Sequence, residues 1–212
     1  MNENDLLKRD FSSFKRGMIT FSENLSEIWN QEITVEKEEE VYKQLFVCVD
    51  KIPKVMDVRI RLAGRRSRAE ITVLYLGYRV DTTEMKISLI HDAPDTFGRV
   101  IVKAALFDES RFVLKGMLEI TEHAKGADSY LLAKGIMLSP KARAEIYPHL
   151  EILTDEVKAS HGSSVGRIDQ KQLFYLQSRG MEKEDAEKVV LAGFFRDIAK
   201  EIPKEYAEKF FQ

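Results

Sequence analysis

From about residue 33 to residue 153, apolar and polar residues alternate in segment after segment, and no helical periodicity intervenes. Alternation at period two sends successive side chains to opposite faces, so each segment reads as a strand with a face to bury. Ile71, Val73 and Tyr75 alternate in AEITVLYLG, Met85, Ile87 and Leu89 in EMKISLIHD, and Val100, Val102, Ala104 and Leu106 in RVIVKAALF. Phe112, Leu114, Leu118 and Ile120 continue it in RFVLKGMLEI, as do Ala144, Ile146, Leu150 and Ile152 in ARAEIYPHLEI. The segments begin roughly every 12 to 19 residues, joined by polar turns such as DTTE, DES and HAKGAD.

Two all-β architectures fit such a pattern. A sandwich pairs strands as hairpins, which favour Asn-Gly or Asp-Gly turns, and neither dipeptide occurs in this chain. A parallel β-helix instead stacks coils of similar length, each burying its inward residues on the next, and tolerates varied corners. The pattern favours the solenoid without excluding the sandwich.

The flanks read differently. Leu7, Phe11, Phe14 and Met18 fall at helical spacing, which predicts a short amphipathic helix within an amino-terminal segment, 1–32. The strands then occupy a core, 33–160, and a carboxy-terminal helical region follows, 161–212. There, Asp169 with Gln172 forms a capping-box pattern, Ile168 with Leu173 a hydrophobic staple, and Gly180 sits where a helix ends in the left-handed conformation. A second helix is expected from about Lys183 to Glu201, limited by Pro203. Ala186, Val189, Val190 and Gly193 mark one face of it; Leu191, Phe194, Phe195, Ile198 and Ile202 mark another. Two apolar faces call for two neighbours, one of them the β-body and the other a third helix or a partner protein.

At 212 residues the chain can bury a core without staples, and its single cysteine, Cys48, forms no intramolecular disulfide and leaves no thiolate pair for zinc. A reducing, cytoplasmic compartment is expected, because no signal-like start and no membrane-length apolar run is present. A formal net charge of -2 gives no general affinity for nucleic acid or anionic membrane. The basic stretch GRRSRAE, with Arg65, Arg66 and Arg68, lacks interleaved aromatic residues and reads as a solvated corner. No G-x-x-x-x-G-K-[ST] loop occurs, so any nucleotide energy comes from a partner.

His161 stands among Ser160, Ser163 and Ser164, but no G-x-S-x-G elbow accompanies them, and serines beside glycine serve turns and caps. His91, His123 and His149 are scattered singly, without H-x-x-x-H or H-E-x-x-H spacing. The residues alone therefore leave His161 as a structural histidine at a joint.

A longer pattern changes that reading. The coil pattern F-x-x-x-G, the I-x-L-S-x-x-A-x-A corner, the P-x-L-E-I strand, the S-H-G joint and the L-F-Y-L-x-S-R-G helix follow in order. They run densely from about Gly98 to Phe195 and more faintly back to about Ile33. Together they resemble the carboxy-terminal core of the SufB/SufD family, scaffold proteins of iron-sulfur cluster assembly, with the amino-terminal region shortened. The resemblance implies a mainly β fold, a right-handed parallel β-helix followed by a small helical domain. It implies a non-enzymatic scaffold that pairs through its β-helix, as a homodimer or with a SufB-like chain. It also implies that the terminal helices dock a SufC-like ABC ATPase, for which Leu191, Phe194, Phe195 and Ile198 are the expected contact residues.

A transient iron-sulfur cluster at the dimer interface is implied too, with His161 as its ligand. The departures are specific. Ala127, Ala159 and Gly162 stand where relatives carry cysteine, cysteine and glutamate, which places the chain on the SufD side or makes it a reduced relative. Cys48 lies outside the densely matched core, in FVCVD, and reads as a strand-buried small hydrophobe. Two other functions remain compatible with the residues: a β-solenoid enzyme acting on carbohydrate, and a metal-free adaptor regulating the ATPase.

Overall fold

The computed structural model describes residues 14–20, 27–49, 52–199 and 201–202. In chain order it gives β1 (Phe14–Thr20), β2 (Ile28–Val35), β3 (Val41–Cys48), β4 (Val55–Leu62), β5 (Arg68–Gly77), β6 (Thr82–His91), β7 (Phe97–Leu106), β8 (Arg111–Ile120), β9 (Asp128–Met137), β10 (Arg143–Ile152) and β11 (Lys158–Arg167). Helices α1 (Gln170–Ser178) and α2 (Lys183–Phe195) follow. Odd-numbered strands form one sheet, in the order β1-β3-β5-β7-β9-β11, and even-numbered strands form the other, β10-β8-β6-β4-β2.

Every pairing is parallel, and each joins a strand to the next but one in sequence. Val41 pairs with Arg68, Arg68 with Phe97, Phe97 with Asp128 and Asp128 with Lys158, so one coil takes roughly 30 residues. Two strands per coil explain the shorter repeat visible in the sequence. The solenoid, rather than the sandwich, is the fold.

Register converts the alternation into a core. Ile71, Val100 and Leu131 stack in one inward row of the odd sheet, and Met56, Met85 and Leu114 in one of the even sheet. All six are buried, and each contributes about 1.5–3 kcal/mol by leaving water. Large and small residues compensate across the gap: Tyr75 and Phe112 pack with ring centroids 4.3 Å apart. Gly116 leaves room for Leu131, whose Cδ1 would lie 2.5 Å from an added Cβ.

The corners continue the ladder without Asn-Gly turns. Glu39, Arg66, Asp95 and Gly126 take positive φ at equivalent places in successive coils. The amide of each donates to the coil above: Glu39 to the Arg65 carbonyl, Arg66 to Pro94, Asp95 to Lys125 and Gly126 to Glu156. Arg66 pairs with Glu38 at 2.7 Å and Arg65 with Asp95 at 3.1 Å. These arginines thus serve exposed ion pairs between coils, as a solvated corner should.

Two expectations are corrected. Phe14 and Met18, placed on a helix by their spacing, lie in β1, where Phe14 pairs with Val41 and Met18 with Leu45; Leu7 and Phe11 lie outside the described residues. A neighbouring strand edge outweighs local spacing there. The solenoid also runs past residue 160, since β11 pairs with β9 through Arg167. The serines and glycines of SHGSSVG hide that strand from an apolar pattern.

The helices pack where the strands are buried on both faces. Leu45, Val47, Leu74, Leu76 and Ala105, on the outer face of the odd sheet, are covered by Leu191, Phe195, Ile198 and Ile202. Helix α1 starts as its sequence predicts, with the Asp169 carboxylate accepting from the Lys171 amide at 2.8 Å. It ends with Gly180 at φ +89° and with Met181 N–H donating to Leu176 O, a Schellman closure.

One buried polar group inside the solenoid carries a pH consequence. His91 has its Nδ1 2.8 Å from Thr96 Oγ1 and its Nε2 2.9 Å from Ser129 Oγ. The Thr96 hydroxyl donates to Ala93 O, so Nδ1–H donates to it and Nε2 accepts from Ser129. Burial pushes the imidazole down to about 4 from its ordinary 6.5, so the fold holds it neutral while the unfolded chain protonates it first. Stability is full above pH 6.5 and falls towards pH 4, by on the order of 3 kcal/mol. Chemical denaturation from pH 7 to 4.5 should show that slope in the wild type and a flatter one in His91→Gln. Parallel slopes would refute the assignment.

Candidate functional site

Both sheets end, among the described residues, at β10 and β11. In a parallel pair every second residue turns its N–H and C=O towards a given neighbour. Arg143 N–H donates to Ser110 O and Leu153 N–H to Ile120 O, so the odd-numbered groups of β10 face β8. The even-numbered groups face the open edge, at Ala144, Ile146, Leu150 and Ile152, and Pro148 breaks that row by lacking a donor.

On β11, Lys158 N–H donates to Ala127 O and Ile168 N–H to Met137 O, so even-numbered groups face β9. Ala159, His161, Ser163, Val165 and Arg167 therefore present their main-chain groups in an unbroken row. The β11 edge is the more complete template for another strand.

The same residues of β11 continue the inward rows of the core. His161 is in register with Leu131 and Val165 with Gly135, yet both are exposed because among the described residues no further coil covers them. Leu150, Ile152 and Leu153 are exposed at the same end. His161 is thus a strand residue at the mouth of the solenoid, not a hinge residue.

Ala127 and Ala159 pack into one small cluster with Ile120, Ala124 and Val157, so two of the marked positions meet in space with no thiol between them. Gly162 points the other way, where an added Cβ would lie 3.1 Å from the Tyr130 hydroxyl. Among the described residues no group of three or more His, Cys, Asp or Glu side chains is arranged to hold a metal. His161 is one donor, and among the described residues no set of further ligands is grouped with it.

Cys48 cannot supply them. It is fully buried between the sheets, in register with Tyr75, and burial pushes its thiol far above the ordinary range. His123 lies at an exposed corner near Glu122, and His149 is exposed on β10, in register with Met117 on the outward face.

The helices offer a second surface. Leu191, Phe195 and Ile198, expected to contact a partner, are buried against the chain's own odd sheet; only Phe194 of that set remains partly exposed. The apolar outer face of β3, β5 and β7 claims that stripe. Val190 and Ala186 turn towards α1 instead, packing with Leu173 and Leu176. Between the helices a groove of about 680 Å³ remains, lined by Ile136, Tyr175, Leu176, Val189, Val190 and Phe194. Phe174 lies on the same helix, 73% exposed. No helix among the described residues is long and apolar enough to cross a membrane.

The class these features define is a parallel β-solenoid with an open strand edge and an appended helix pair. Residues 17–194 match the family described as SUF system FeS cluster assembly, SufBD core domain, and the chain belongs to that family. It is similar to the iron-sulfur cluster assembly protein SufD of Escherichia coli K12, 30% identical over 145 residues, which are 68% of this chain and 34% of that protein. SufD of Bacillus subtilis 168 is 32% identical over 148 residues, 70% of this chain and 34% of that protein. A SufBD family protein of Mycobacterium tuberculosis H37Rv is 27% identical over 146 residues, 69% of this chain and 17% of that protein. The chain spans about a third of the length of the SufD relatives.

Burial of Cys48 has a direct test. A thiol reagent should label the native protein only at the rate of unfolding, and label it at once in denaturant. Fast labelling of the folded chain would contradict its position in the core.

Proposed function

We propose that this chain is a non-enzymatic scaffold component of SUF-type iron-sulfur cluster assembly. It pairs through the open end of the solenoid, with a second copy or a SufB-like chain, and docks a SufC-like ABC ATPase through its helices. Family membership supports the system, and the observation that carries the mode of action is the unbroken free edge of β11 with His161 at its centre. Strand addition there would satisfy the free main-chain groups and cover Val165, Leu150 and Ile152 in one step.

Pairing would also set His161 beside groups of the partner, which supplies what one chain lacks. The replacement of cysteine by Ala127 and Ala159 favours a second reading, in which the chain completes the complex and regulates the ATPase without holding a cluster.

Anaerobic reconstitution with ferrous iron and sulfide, alone and with a SufB-like chain, separates the two. The scaffold reading expects cluster absorbance in the wild type and loss in His161→Ala. It also expects loss in Val165→Pro, which removes an edge donor without touching a bond to β9. Equal absorbance in all three, or none in any, would remove His161 as a ligand and leave the adaptor.

Docking is tested separately. Val189→Asp places a charge in the groove and should weaken binding of a SufC-like ATPase at least tenfold. Unchanged binding would exclude the groove as the contact.

A further inference from the structure

Lys103 is the anomaly of the helix-covered face. It lies on β7 between Leu74 and Lys134 in register, and its side chain is 4% exposed beneath the end of α2. Burying an ammonium costs several kcal/mol unless it is fully partnered, and a leucine would pack against the neighbouring Leu76 and Ala105 without that cost.

Its partners account for its place there. The ammonium donates to Phe194 O and to the Asp197 carboxylate, and lies 5.0 Å from the centroid of the Phe194 ring. The last turn of α2 contains no basic residue, Arg196 stands at its C-cap, and Lys103 brings a further cation from the sheet onto the Phe194 carbonyl, one of the terminal groups without an intrahelical partner. A second polar contact, Thr72 Oγ1 donating to Glu201 at 2.5 Å, holds the following turn to β5.

Phe194 is also a wall of the groove between the helices. We propose that Lys103 is a positioning residue: by gripping Phe194 through main chain and ring together, it sets the seat of α2 on the solenoid and so the shape of the docking groove. Apolar packing alone lets a helix slide or turn on a sheet, whereas a directional, charge-assisted clasp selects one seat. A ligand that rests against Phe194 and the clasp then favour one another reciprocally. The inference rests on the docking reading for its ligand, but not for its geometry.

Lys103→Met keeps the length of the stem and removes the charge. Global stability should hold or rise, because an apolar isostere often replaces a buried ion pair without loss. Amide exchange over residues 191–199 should accelerate about tenfold, while β6 amides stay unchanged. Affinity for a purified SufC-type ATPase, with ATP and magnesium, should fall by about the same factor. The partly exposed Asp197→Asn should show a smaller effect in the same direction, on the order of threefold, without risk to folding.

Three results would overturn the proposal. One is unchanged exchange over 191–199 in Lys103→Met; another is faster exchange throughout the solenoid with lowered melting, the mark of a merely structural lysine. Equal ATPase affinity in wild type and Lys103→Met would also overturn it. A wild type that binds no ATPase overturns the docking reading alone, and amide exchange then decides the role of Lys103.

Discussion

Everything in this protein hangs from the in-register parallel ladder between coils. Each strand finds its hydrogen-bond partners roughly one coil of 30 residues away, and among the described residues no strand pairing reaches further. The same register that aligns the amides also stacks inward side chains row on row, so hydrogen bonding and apolar burial are satisfied by one geometric operation. The corners extend it: positive-φ residues at Glu39, Arg66, Asp95 and Gly126 keep the main-chain ladder unbroken through the bend.

A ladder of this kind has ends, and an end leaves main-chain groups and core rows open. At β11 the row continues through Ala159, His161, Ser163 and Val165 with no described residue stacked beyond it, which leaves both backbone and core unfinished. The flank is handled differently. Helix α2 spends its more apolar face on β3, β5 and β7 and leaves a shallower groove towards α1. Lys103 fixes where that groove lies by linking the second surface to the middle of the solenoid.

Much of this was legible in the residues. The alternation in β5 to β8 marked inward rows that are buried as read, and Asp169 and Gly180 marked the ends of α1 through local hydrogen bonding alone. Other parts were not. His91 is an unremarkable histidine in sequence, because its partners Thr96 and Ser129 come from other positions along the coil path. The corners carry Glu, Arg and Asp in a conformation that no turn dipeptide announces. The stripe Leu191, Phe195 and Ile198 was visible as apolar, but the sequence could not show that the chain's own sheet would cover it.

The sequence by itself determined the period of the strands, the caps of α1 and the family, because each depends on neighbours or on a linked run of motifs; it ran α2 on to about Glu201, whereas the helix ends at Phe195. Tertiary structure decided which apolar surfaces are consumed and which remain. It placed His161 in a strand at the solenoid mouth, brought Ala127 and Ala159 together, and put Lys103 beneath Phe194. Those relations depend on the register between coils, a quantity set by packing and hydrogen bonding across roughly 30 residues and not encoded at any one position.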